Sequence, residues 1–217
     1  MRVNLVVVRI HSAALSLCIP KCFPSYRVYH RRMKLADYYT DGLCYEDFLT
    51  KYGSEVDRGR WQRVYDQTRL DSEQESRLKA FVREMHVLCM AGTWCGDCAE
   101  QCPIFSAFEQ MSPTIHIRYV DRDAYQELKE SLTICGGARV PHCIFFSEDM
   151  QEVGRYGDRT LAKYRQMAAS LAGPACSTGE LASGQHHAEV VGNWLDEFER
   201  VQLILRTSPR LRAKHSD

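Results

Sequence analysis

The chain has 217 residues, 45% hydrophobic and 26% charged. That balance suits one domain with additions and excludes wholesale disorder, because enough apolar surface exists to offset chain entropy. Twenty-eight basic side chains balance 28 acidic ones, which excludes a global pull toward nucleic acid or an anionic membrane.

In chain order, the first segment is unlike the rest. Residues 1–33 form a basic extension. Seven basic residues and no acid precede Asp37, so the remainder carries a net charge of −7. An acid-free, Arg-containing leader allows a targeting segment. Its apolar run is interrupted at Arg9 and His11, and no small-x-small cleavage site follows. We therefore read it as a disordered or mis-assigned upstream extension, with translation starting at Met33. The expected location is the cytoplasm, or an organelle or the exterior if residues 1–32 are a genuine targeting segment. No stretch reaches the roughly 18 uninterrupted apolar residues of a membrane helix.

Residues 34–84 read as a helical addition of two or three helices, broken near Gly42 and again after Gly53-Ser54. Ser72 and Glu75 have capping-box spacing ahead of Leu78, Phe81, Val82 and Met85. Residues 85–91 read as a short buried strand, 92–95 as a turn, and a helix begins about Cys95 and ends at Ser112-Pro113. A strand follows over 115–120, then a helix from about Ala124 to Leu132 with Asp123 as its cap. Strands 143–146 and 153–156 pair antiparallel, and Thr160 caps a helix to Leu171. Strand, helix, strand, helix, strand, strand, helix is an α/β pattern over residues 85–172. Residues 173–217 read as a Gly/Ser/Ala-rich linker and a helix over 186–206. Val191, Trp194, Phe198, Val201 and Leu205 make a stripe on that helix that should pack on the domain.

Ten cysteines leave three chemistries open: a disulfide framework, metal ligation or redox exchange. Cys95 and Cys98, separated by two residues at a strand-to-helix junction, favour the third. Free amides and the dipole at a helix start favour a negative charge, so a thiol there ionises below its usual ~8.5. The thiolate is the attacking species in disulfide exchange. Cys98, one turn on, can attack the mixed disulfide and release the product. Cys95 is thus the expected exposed nucleophile and Cys98 the buried resolving thiol.

On Trp94-Cys95-Gly96-Asp97-Cys98 the chain resembles the thioredoxin-like family. Pro103 stands where that family has a helix-kinking proline. Arg139-Val140-Pro141 matches its cis-proline loop, and Gly157 matches its substrate-groove glycine. The resemblance covers roughly 85–172, and the helical additions look like those of a bacterial thioredoxin-like subfamily. It implies a thioredoxin fold, a central mixed sheet flanked by helices, with the Val140 backbone pairing with an extended substrate. It also implies a reductant acting on protein or small-molecule disulfides without a bound cofactor, and recharged by an external reductase or thiol donor. We expect a monomer with no metal, nucleic-acid or membrane partner.

Two departures from the family matter. Asp97 replaces the usual proline, and its carboxylate should disfavour a neighbouring thiolate, so Asp97→Pro should lower the Cys95 pKa. Cys89 replaces the buried aspartate that relays protons, which leaves water, His86 or another group for that task. Two rival readings stand beside the redox one. Cys95, Cys98 and Cys102 could hold zinc or an iron–sulfur cluster, with Cys135 or Cys143 as a fourth ligand. Alternatively, the fold could be a non-catalytic binding module, although such modules often lose one active-site cysteine. Cys89, Cys102 and Cys143 are read as packing residues near the site. Cys18, Cys22, Cys44 and Cys176 show no pairing pattern. His142 is read as a satisfied or solvated histidine and His186-His187 as a helix start.

Overall fold

An apolar run without polar alternation, Met85–Ala91, forms the central strand β1 and is buried along nearly its whole length. Strand β2 (Ile115–Asp121) lies parallel on one side of it, and β3 (His142–Ser147) lies antiparallel on the other. Strand β4 (Glu152–Gly157) pairs antiparallel outside β3, giving the order β2-β1-β3-β4. Burial on both faces is why β1 and β3 read as continuous apolar runs, while edge strand β4 is partly exposed. The computed structural model describes residues 34–171 and 183–217. The expectations for the basic leader and for most of the 173–185 linker lie outside the described residues.

The N-terminal addition contains four helices rather than two or three: α1 (Leu35–Asp41), α2 (Tyr45–Tyr52), α3 (Glu55–Gln67) and α4 (Ser72–Lys79). Ser54 caps α3 in a reciprocal box with Asp57. The cap of α4 falls one residue earlier than expected. Asp71 accepts from the Gln74 amide and the Gln74 side chain reaches back, so Ser72 is already helical. Aspartate caps as well as serine does, and the box tolerates Gln at its third position. Between α1 and α2, Leu43 exchanges two backbone hydrogen bonds with Tyr119 at 2.9 and 2.8 Å. That contact covers part of the otherwise open β2 edge.

Helix α5 (Gly96–Met111) follows β1 and carries Pro103 inside it. A proline there leaves the Ala99 carbonyl without its usual i+4 donor. Helix α6 (Gln126–Ser131) starts later than expected. Asp123 does not cap it: Asp121 accepts from the Asp123 and Ala124 amides, while Asp123 pairs with Arg122 and Lys129. Helix α7 (Leu161–Leu171) is capped as expected, with the Lys163 amide donating to the Thr160 hydroxyl at 3.3 Å.

Helix α8 (Ser183–Thr207) is longer than the expected 186–206. Its stripe is buried throughout, from Val191 to Leu205. The Trp194 ring meets Phe105 at 4.4 Å and Tyr156 at 4.8 Å. Phe198 meets Phe108 and Phe145 at 5.3 Å each. The stripe thus closes the core over α5 and the sheet, and each large apolar side chain buried this way contributes about 1.5–3 kcal/mol. A short α9 (Pro209–His215), which sequence periodicity did not reveal, adds buried Leu211.

Candidate active site

The loop from Gly92 to Cys95 is held from below by the N-terminal helices. Trp61 on α3 is fully buried and donates through Nε1 to the Thr93 carbonyl at 3.0 Å. The Thr93 hydroxyl donates to the Tyr52 carbonyl at the end of α2, also at 3.0 Å. Gly92 is required by close approach: a Cβ there would sit 2.8 Å from the Trp94 ring. Trp94 itself is 47% exposed and carries the Arg122 guanidinium 4.5 Å over its ring, a cation–π contact.

Cys95 is the N-cap of α5 and its sulfur is partly exposed. Its thiol points at the Val140 carbonyl, 3.7 Å away. Cys98 is fully buried and its sulfur receives the Gly92 amide at 3.5 Å. Donation to the Cys98 sulfur, together with burial, pushes the Cys95 thiol above the ordinary range. Burial works upward on Cys98 too, but hydrogen bonds from Cys102, Cys95 and the Gly92 amide draw it below the usual thiol value. The two thiols therefore titrate as a coupled pair, with the helix start and the Gly92 amide favouring the charged form and burial opposing it.

The facing loop is built as the resemblance implied. The Val140–Pro141 peptide is cis. Gly157 lies against it with φ +149°, and a Cβ there would come within 2.4 Å of the Pro141 carbonyl oxygen. Strand register sets this contact, since His142 pairs with Gly157.

Asp97 does not stand alone beside the thiols. Arg159 binds it at 2.6 Å and also reaches Asp158 at 3.1 Å. Asp158 is buried, receives the Tyr164 hydroxyl and lies 3.5 Å from Arg139. The expectation that a free Asp97 carboxylate raises Cys95 is corrected: its charge is paired, and the upward pull it exerts falls weakly on Cys98. Gln101 ties the network to α8. It donates to the Asp97 and Asp158 carbonyls at 3.0 Å each and accepts from Trp194 Nε1 at 2.8 Å. Beside Gly96 and Asp97 a cleft of about 530 Å³ opens, lined also by Arg60, Arg63, Glu100 and Lys163.

The remaining candidates divide. Cys89, in the place of the family's aspartate, is buried with its sulfur 4.0 Å from that of Cys102. His86 is not available to Cys98. It bonds the Tyr39 hydroxyl at 2.9 Å and sits near the far end of β1, roughly 16 Å from Ala91 at strand rise. His142 is neither satisfied nor solvated: it is 6% exposed with Nδ1 unpartnered, and burial lowers its pKa to about 4. Among the described residues, no group of three or more His, Cys, Asp or Glu is placed to hold a metal ion. No described helix is long and apolar enough to cross a membrane. Sequence reasoning missed Trp61, Gln101 and Arg159; a cation two residues after Gly157 was the one available signal, for Arg159.

Solved structures of similar shape extend over most of the chain. A protein of unknown function from Pseudomonas aeruginosa aligns with a TM-score of 0.60 and 15% identity, covering 78% of this chain and 96% of its own. An HIV epitope scaffold aligns with a TM-score of 0.59 and 19% identity, covering 77% and 99%. No curated protein matches. The thioredoxin family profile matches residues 42–171, a span that takes in α2–α4 as well as the sheet, the Cys95–Cys98 turn and the cis-proline loop. The chain belongs to the thioredoxin family.

Proposed function

We propose that the protein is a thiol–disulfide oxidoreductase of thioredoxin type that uses Cys95 and Cys98, most directly as a reductant of protein or small-molecule disulfides. The observation that carries this reading is the unlike exposure of the two sulfurs. Cys95 is reachable at a helix start opposite the cis-proline loop, and Cys98 lies buried one turn behind it.

An incoming disulfide meets Cys95 first. The Cys95 thiolate attacks one substrate sulfur. A Cys95–substrate bond forms, the substrate disulfide breaks, and the first product leaves as a thiolate that takes up a proton. Cys98 then loses its proton and attacks the Cys95 sulfur. The Cys95–Cys98 disulfide forms and the second product thiol is released. Two electrons have moved to the substrate, and an external thiol donor restores the dithiol. The Val140 backbone offers an extended substrate an edge to pair with, and no cofactor takes part. A reducing role fits a cytoplasmic location.

Reduction of insulin by dithiothreitol tests the reading. Wild type should accelerate precipitation, and Cys95→Ser should not. Equal traces for the two proteins, with no turnover, would favour a binding module instead.

A further inference from the structure

Beneath the dithiol, the interior holds more sulfur than packing requires. Cys102 lies one turn after Cys98 on α5, is fully buried, and its sulfur lies 4.0 Å from that of Cys89. Cys89 on β1 and Cys143 on β3 are both fully buried and sit directly opposite each other in the antiparallel register. Directly opposed residues of an antiparallel pair have Cα atoms about 4.5 or 5.5 Å apart, and both values fall in the range that a disulfide bridges. The order from partly exposed Cys95 inward is therefore Cys98 and Cys102 at successive turns of α5, Cys89 beside Cys102, and Cys143 opposite Cys89.

We infer that Cys89 and Cys143 form a second, buried redox couple that exchanges with the Cys95–Cys98 disulfide through Cys102. The inference rests on the oxidoreductase reading above. In the first step the Cys102 thiolate attacks Cys98. A Cys98–Cys102 bond forms, the Cys95–Cys98 bond breaks, and Cys95 leaves as a thiolate. Cys89 then attacks Cys102 and releases Cys98. Last, Cys143 attacks Cys89, forming Cys89–Cys143 and releasing Cys102.

Three protons, initially on Cys102, Cys89 and Cys143, end on Cys95, Cys98 and Cys102. No outside oxidant or proton is needed, because the substrate disulfide has already supplied the oxidising equivalent. Fully reduced protein would then reduce two substrate disulfides before needing its donor, rather than one.

The test maps disulfides in the full chain. Reduced protein is exposed to glutathione buffers of rising oxidation, sampled over time, quenched and unfolded in acid denaturant, alkylated in that denaturant, and digested without reduction for mass spectrometry. We expect Cys95–Cys98 to form first and a Cys89–Cys143 peptide pair to follow in the wild type. In Cys102→Ala, at equal Cys95–Cys98 oxidation, Cys89–Cys143 should form at least tenfold more slowly. Cys102→Ser and circular dichroism guard against a packing defect. If Cys89 and Cys143 stay reduced while Cys95–Cys98 is fully oxidised and insulin is still reduced, this inference falls and the oxidoreductase reading stands. Formation of Cys89–Cys143 at the wild-type rate without Cys102 also overturns the relay. If Cys95–Cys98 itself never forms, both readings fall together.

Discussion

The dithiol separates two unlike surroundings. On the outer side, Cys95 is flanked by Trp94 under Arg122, by the Asp97–Arg159 pair and by the Val140 carbonyl. These groups are polar, partly solvated and set by residues distant in sequence. On the inner side, Cys98 meets only a backbone amide and other sulfurs in a fully buried interior. The difference teaches that an approaching molecule meets the outer side first, whereas the inner side keeps Cys98 away from solvent.

The comparison breaks most sharply at the two cysteines. Cys95→Ser should lose insulin reduction to the uncatalysed background, because no other site sulfur is reachable. A retained rate would show that the inner sulfurs are open to substrate. The next largest effect tests the support under the outer loop. Trp61→Ala removes a fully buried ring and the donor to the Thr93 carbonyl, and should cost about 3–5 kcal/mol in urea unfolding. Trp61→Phe keeps most of the volume and loses the hydrogen bond, for about 1 kcal/mol.

The third outcome concerns pH. Burial lowers the folded-state pKa of His142 to about 4, whereas the unfolded chain binds that proton near 6.5. Between those values the unfolded state holds more protons, so stability should fall as pH drops from 6.5 toward 4, by at most ~3 kcal/mol. His142→Phe should flatten that slope in urea titrations at pH 7.5, 6 and 5. An unchanged slope would place the acid sensitivity elsewhere.

The smallest effect is at Asp97. Asp97→Asn leaves Arg159 with one carboxylate instead of two, so the dithiol should ionise more easily, by roughly 0.5–1 unit. The absorbance of the thiolate at 240 nm reads this directly. Adding Arg159→Gln should restore the starting value. If Asp97→Asn leaves the apparent pKa unchanged, the outer network does not act on the thiols, and a rise would reverse the predicted sign.

The parts legible in the sequence are those that local chemistry decides. β1 shows as an apolar run, the cis bond at Pro141 and the close approach of Gly157 follow from their motif, and the α8 stripe repeats at helical spacing. The α4 cap slipped by one residue because Asp71, next to Ser72, does the same work, and α6 has no side-chain cap because Asp121 instead holds the turn before it. The pairing of Asp97 with Arg159 was not legible, since it depends on the β4–α7 turn coming to rest against the start of α5. Cys102 could be placed one turn from Cys98, but its contact with Cys89 needs the packing of helix on sheet.

The most direct test of the central claim is to trap the first step. Cys98→Ser, incubated with a disulfide-linked peptide and analysed by mass spectrometry, should accumulate a stable mixed disulfide on Cys95. The double variant Cys95→Ser/Cys98→Ser should accumulate none. An adduct on another cysteine, or none on Cys95 while wild type still reduces insulin, would contradict Cys95 as the attacking thiol.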